Sequence, residues 1–274
     1  MRKLGRQLLA GPYLIWITGF IILPLFMILY YAFTTSGGNF TFMNLIAITH
    51  WVHVKSLLLS IKLGLICTLI CLVLSYPLAM ILNNLKFKNQ SFMVFIFVLP
   101  MWMNFLLRIL AWQLLLSNNG IINTILKSIG FPALNILNTP TAVVFGMVYD
   151  FLPYMVLPIY NSMSRIRKDI IEAAMDLGAT SPTIFLKIIL PLTASGIVSG
   201  VIMVFVPALT SFVISDMLGG GKVLLIGNVI EQDFMDAYNW NLGSGLSVVL
   251  MIFVVASMAF MNRYAKDGEG TAVW

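Results

Sequence analysis

Residues 165–191, RIRKDIIEAAMDLGATSPTIFLKIILP, decide how this chain is read, because they are the one long polar interruption in an otherwise apolar sequence. Ile166, Ile170, Ala173 and Leu177 recur at i, i+4, i+7 and i+11, which puts them on one narrow stripe of a 3.6-residue helix. Ile171 and Met175 form a smaller apolar patch on the opposite side, flanked by Arg167, Lys168, Glu172 and Asp176. The spacing predicts a short helix that is gripped from two directions. Gly178 is expected to end it, since glycine takes a left-handed conformation without a Cβ clash. Ser181 is expected as the N-cap, and Pro182 as the first residue, of a second helix running through Lys187 to Pro191.

The rest of the chain sets the class. Of 274 residues 60% are hydrophobic and only 9% charged, with a mean hydropathy of +0.97; a soluble domain carries about 25% charged residues. A polytopic, all-α membrane protein follows. The net charge of +6 does not point to nucleic acid, because no basic patch interleaves with aromatics on a soluble face. Cys67 and Cys71 lie four apart in an apolar run, which is not the two-residue gap of a redox or zinc pair, and they read as small buried residues. His50 and His53 have no third ligand nearby and read as interfacial residues, so no metal site is expected.

Six transmembrane helices are predicted, at about 12–33, 56–82, 91–116, 140–160, 192–214 and 246–261. A span needs about 20 apolar residues to cross ~30 Å at 1.5 Å per residue. The segment 117–139, cut by Lys127, Gly130 and Pro132, is expected as a short surface helix. Six spans leave both termini on one side. Making that side cytoplasmic places Arg2, Lys3, Arg6, Lys86, Lys88, Arg165, Arg167, Lys168, Lys187, Arg263 and Lys266 inside, eleven of the sixteen basic residues, as the positive-inside rule requires. The opening stretch, within a loop at 161–191, is then cytoplasmic.

Glu172-Ala173-Ala174, Gly178, Ile188, Leu190 and Pro191 together resemble the EAA loop of ABC importer permeases, with the spacing E-A-A-x3-G-x9-I-x-L-P unbroken. Asn104 to Trp112, Tyr149 to Pro158 and Pro207 to Asn228 extend the likeness to B-type permease subunits of spermidine/putrescine importers. The resemblance implies the type I importer (MetI-like) architecture in a bacterial inner or plasma membrane. It also implies a second permease subunit in a heterodimer, two ATP-binding subunits, and an extracytoplasmic polyamine-binding protein. The EAA helix would dock in a groove on the ATPase, with the Ile166–Leu177 stripe facing its own chain and the Ile171/Met175 side facing the partner. Another small solute, such as thiamine, iron or a different organic cation, fits the same loop; a stand-alone channel or secondary carrier does not need it.

The chain carries no energy source or cofactor of its own. Gly219-Gly220-Gly221-Lys222 fails the phosphate-loop pattern, because Asp216 and Val223 stand where a glycine and a hydroxyl are required; an external flexible turn is expected instead. No nucleophile–base constellation appears, so no enzyme chemistry is read. For the pathway, charges inside the membrane are the leads. Arg108 and Asp150 each lie about 15 Å below the outer surface. Asp150 has two readings: an ion pair with Arg108 that holds the third and fourth spans in register, or a counter-ion for a passing polyamine beside Tyr149 and Tyr154. Asp216 joins the candidate pathway set. Glu231, Asp233 and Asp236 form an external acidic cluster that either attracts polyamines and docks the binding protein or is simply solvated.

Overall fold

The computed structural model describes residues 11–84 and 90–270. Arg2, Lys3, Arg6, Lys86 and Lys88, used above for orientation, lie outside the described residues. Among the described residues the chain is all-helical, with one isolated antiparallel bridge between Thr34 and Phe40. It divides into two compact units, residues 11–55 with 229–255 and residues 56–228 with 256–270.

In the first unit, α1 (Gly11–Ala32) is apolar on every side, and none of its most apolar 18-residue window is buried against its own chain. A helix of that kind suits lipid rather than water. Its last carbonyls have no intrahelical donor, and two asparagine amides supply the missing bonds. Asn44 donates to the Ala32 and Thr34 carbonyls at 3.1 and 2.9 Å, and Asn241 to those of Tyr31 and Thr34 at 3.2 and 2.6 Å. Asn44 can reach because Gly245 has no side chain: a Cβ there would lie 2.5 Å from the Asn44 carbonyl oxygen.

The second unit holds most of α2 (Trp51–Asn84), then α3 (Gln90–Val98), α4 (Phe105–Leu116), α5 (Ile121–Ser128), α6 (Pro140–Met163), α7 (Lys168–Asp176), α8 (Ser181–Leu192), α9 (Ala194–Thr210) and α10 (Phe212–Gly219). Two long helices run across the division, α2 at its start and α12 (Trp240–Gly270), as does the shorter α11 (Ile226–Met235). The core of this unit is apolar, with Cys67, Cys71, Ile109, Met147, Met155, Ile159, Val204 and Ile214 buried together. Both cysteines are free, as their spacing implied. Small residues bring α6 and α9 close. A Cβ on Gly200 would meet Met155 Sδ at 2.6 Å, and one on Gly196 would meet the Pro158 carbonyl at 2.6 Å.

Among the described residues five helices are long and apolar enough to cross a membrane, or six if the bent pair α8–α9 counts as one span. The third differs from the expected 91–116. The chain breaks between α3 and α4 through a tight turn at Leu99–Trp102, and the apolar stretch long enough to span runs over Phe105–Ser128. Pro100 lacks the N–H that would continue α3, and Asn104 starts α4 afresh by accepting from the Leu107 N–H at 3.2 Å. The short helix expected within 117–139 is α5, but it falls inside the apolar stretch Phe105–Ser128 and is not set apart from it as a surface helix. Its buried Asn123 pins the chain on both sides by donating to the Ser117 and Leu134 carbonyls and accepting from the Leu134 N–H.

Candidate coupling and translocation sites

The stretch 165–191 folds as helix, turn, helix. Gly178 has φ +79°, and the bonds around it close a Schellman motif: Gly178 N–H donates to the Met175 carbonyl at 2.9 Å and Ala179 N–H to that of Ala174 at 3.0 Å. At the start of α7, Asp169 accepts from Arg167 and from the Ile170 N–H, so that the Arg167 bond holds its carboxyl below the usual carboxylate range. A carboxylate in the first helical turn also suits the helix dipole. The second cap differs from expectation. Thr180, not Ser181, takes the N-cap position, with φ −75° and ψ 156°, and Pro182 falls in the first turn but not at its first residue.

The two faces of α7 are reversed from the expected assignment. Ile166 precedes the helix, and the stripe continuing through Ile170, Ala173 and Leu177 is exposed, Leu177 to 88%. Ile171 and Ala174, three residues apart, are the half-buried pair that faces the chain, while Met175 is exposed. The reason is the docking of the helix, which turns Ile171 and Ala174 toward the chain and leaves the equally apolar Ile170 stripe outside. Glu172 is exposed beside the stripe.

After that turn α8 carries a π-helical segment, Phe185–Ile189, then bends by 66° into α9 at Thr193. Thr193 is fully buried. Its hydroxyl bonds the Ile189 carbonyl at 2.8 Å and that of Leu190 at 3.2 Å, and it shares a hydrogen bond with the Tyr76 hydroxyl of α2. Tyr76 also meets the Phe185 ring edge-on at 5.2 Å. Ile188, Leu190 and Pro191 therefore sit in the segment between the exposed helix and this bend. Neither Tyr76 nor Thr193 stands out in the sequence, where the one signal is a threonine two residues after Pro191 in an otherwise apolar run.

Deeper in the same unit, Arg108 of α4 and Asp150 of α6 form a buried ion pair, so these two residues are brought together as one of the two readings required. Arg108 Nη2 engages Asp150 Oδ1, Nη1 donates to the Pro100 carbonyl at 2.6 Å, and the guanidinium lies 6.0 Å from the centre of the Tyr149 ring. Nε is buried without a partner among the described residues. The pair lines a cavity of about 420 Å3 with Met101, Met103, Phe105, Phe151, Tyr154, Pro207, Thr210, Ser211, Phe212 and Val213. Tyr149 is outside the lining, stacked edge-on against Trp112 at 5.1 Å.

Asp216 is not brought to this cavity. It accepts from the Asn228 amide at 2.6 Å, and Asn228 also donates to the Phe212 carbonyl and accepts from the Leu225 N–H, closing a network that secures the turn after α10. Of the glycine run, Gly219 is the buried end of α10, while Gly220 and Gly221 form an exposed turn after it, as the sequence predicts. Gly220, at φ +55°, donates to the Asp216 carbonyl at 3.0 Å and lies so close to Asn138 that a Cβ would collide. Of the acidic cluster, Asp236 is exposed and Glu231 half-buried, while Asp233 turns one oxygen into a buried position without a partner among the described residues. Burial pushes the Asp233 carboxyl up, partly offset by the charge of His53. His53 itself pairs through Nδ1 with the Ala47 carbonyl at 2.6 Å.

The family model described as the binding-protein-dependent transport system inner membrane component matches residues 72–266. The chain belongs to that family. It is 37% identical over 259 residues to the spermidine/putrescine transport system permease protein PotB of Haemophilus influenzae, covering 92% of this chain and 91% of that one. To PotB of Escherichia coli (strain K12) it is 39% identical over 245 residues, 86% and 89% of the two chains. The fold of this permease matches a crystallised bacterial ABC transporter involved in import of the acidic polysaccharide alginate, with a TM-score of 0.82 at 15% identity over 97% and 96% of the two chains. A methionine ABC transporter in an inward-facing form matches with a TM-score of 0.59 at 18% identity, over 80% and 96%. The permease is thus a membrane component of a transport system that works with a binding protein.

Proposed function

We propose that this chain is a permease subunit of an ATP-driven polyamine importer of the spermidine/putrescine type. The supporting observation is the near full-length similarity to PotB proteins from two organisms, together with the unbroken spacing from Glu172 to Pro191. The chain forms part of the pathway and does no chemistry itself. ATP is hydrolysed by two separate ATP-binding subunits, a second permease subunit completes a heterodimer, and an extracytoplasmic binding protein delivers cargo. The chain sits in a bacterial inner or plasma membrane with both termini and the 161–191 loop in the cytoplasm.

In this reading α7 is the coupling helix. Its exposed Ile170–Ala173–Leu177 stripe, with Glu172 beside it, meets the ATPase. The segment carrying Ile188, Leu190 and Pro191 passes the movement to the Thr193 bend, and Gly178 fixes the angle between the two. Arg108, Asp150 and Tyr154 border the route, with Tyr149 behind them, while Asp216 serves the turn that shapes its wall. Asp236 and Glu231 offer negative charge to a binding protein, with Asp233 partly withdrawn.

The test is reconstitution of the whole complex in liposomes with its binding protein. ATP hydrolysis and uptake stimulated by binding protein loaded with putrescine or spermidine are expected. Stimulation only by a thiamine- or iron-loaded protein overturns the polyamine assignment, and uptake without any ATPase subunit overturns the importer assignment.

A further inference from the structure

The contact between Arg108 and Asp150 has the wrong shape for a permanent lock. A structural arginine–carboxylate pair is usually a two-pronged fork, two parallel N–H···O bonds between the planar groups. Here one nitrogen, Nη2, meets one oxygen, Oδ1. No hydrogen bond to Asp150 Oδ2 is present among the described residues, and Arg108 Nε is buried and unpartnered. One carboxylate oxygen and the Nε–H of the guanidinium are therefore unused, although both side chains are nearly buried.

The guanidinium also has other places to be. Nη1 is already held by the Pro100 carbonyl at 2.6 Å, which also accepts from the Met103 N–H at 3.3 Å in the turn between α3 and α4, and the Tyr149 ring lies 6.0 Å away. Arg108 would keep these two neutral partners if Asp150 let go of it. The cavity that adjoins Asp150 is suited to a cation. Its walls combine aromatic faces (Phe105, Phe151, Tyr154) with the hydroxyls of Thr210 and Ser211, and its volume of about 420 Å3 lies in the range of small-molecule sites.

We propose that this cavity is a transit site for a protonated alkylamine, in which an ammonium of the cargo replaces the Arg108 guanidinium at Asp150 while its methylene chain lies along Phe151 and Tyr154. Arg108 then acts as a resident cation. It keeps the buried carboxylate neutralised when no cargo is present, which avoids leaving an unpaired charge buried, and it gives way in passing. The site rests on the polyamine reading above, and it adds where within this subunit the charge is met.

Ser211→Cys in the assembled importer, reconstituted with its binding protein and ATPase subunits, offers a thiol at the cavity wall; Cys67 and Cys71 are fully buried. The rate of its modification by a small cationic thiol reagent is measured during turnover. Spermidine or putrescine is expected to slow labelling about fivefold, the order of one cation–aromatic contact, whereas 1,4-butanediol does not. Asp150→Asn should abolish the protection, and Arg108→Gln should retain it. Equal loss in both, or protection untouched by Asp150→Asn, overturns the proposal. If neither charge variant assembles, Tyr154→Leu keeps the ion pair and must still weaken protection, and unchanged protection again overturns it. Absence of spermidine uptake by the wild-type complex counts against the polyamine reading, whereas uptake without protection counts against the site alone.

Discussion

The Tyr76 hydroxyl of α2 and the Thr193 hydroxyl share a buried hydrogen bond at the 66° bend between α8 and α9. That bend separates the segment that follows the Gly178 turn from a helix packed along α6, so a movement of α8 must either carry Tyr76 with it or break the bond. Tyr76→Phe leaves the ring contact with Phe185 and removes only the hydroxyl. It should cost about 1 kcal/mol in stability and lower the ratio of solute moved to ATP hydrolysed. Thr193→Val should do the same, and a double mutant no worse than either single change, read from detergent melting curves, identifies the two hydroxyls as one interaction.

Gly178 is held at φ +79°, where a Cβ costs about 1–2 kcal/mol. Because nothing in this chain lies within 4 Å of a Cβ built there, Gly178→Val strains the backbone without a Cβ clash inside the subunit. Membrane insertion should be normal while ATP hydrolysis is uncoupled from uptake. Normal uptake per ATP in that variant rules out a role for this turn angle.

The exposed and half-buried faces of α7 should fail in different ways. Leu177→Asp alters a side chain 88% exposed in this chain and is expected to reduce co-purification of the ATPase subunits without lowering the amount of permease in the membrane. Ile171→Asp buries a charge against the chain and should lower permease abundance itself. Quantitative blotting of membranes and of the purified complex separates the two.

The α6–α9 contact depends on small residues. Gly200→Leu must displace Met155, whose Sδ lies 2.6 Å from the position of the new Cβ, and overpacking of this kind costs about 1–3 kcal/mol. A fall in the melting temperature of the detergent-solubilised permease is the expected outcome.

Asp233 carries a carboxyl raised by burial, with the His53 charge opposing the rise. A carboxyl that binds its proton more tightly when folded makes the folded state less stable as pH climbs from its unfolded pKa through its raised folded one. Asp233→Asn should therefore raise the melting temperature at pH 7 by on the order of 2 °C, and the difference from wild type should vanish at acid pH, where both forms are uncharged. A gain that persists unchanged at low pH points to packing instead.

Much of this protein is legible in order along the chain. The apolar runs dictate the helices because no water is available to satisfy a backbone in lipid, and Gly178 announces its turn because few other residues tolerate positive φ. The 4-residue spacing of the cysteines marks them as core, and the run from Glu172 to Pro191 carries the family. Which side of α7 faces outward was not legible, since Ile170 and Ile171 are equally apolar and only the docking of the helix through Ala174 and Ile171 chooses between them. The break at Pro100 was hidden within hydrophobic residues that serve a span or two short helices alike. Above all, the pairing of Arg108 with Asp150, and of Tyr76 with Thr193, joins residues 42 and 117 positions apart. Periodicity reports on neighbours one turn away, so contacts of this range are decided only when the helices pack.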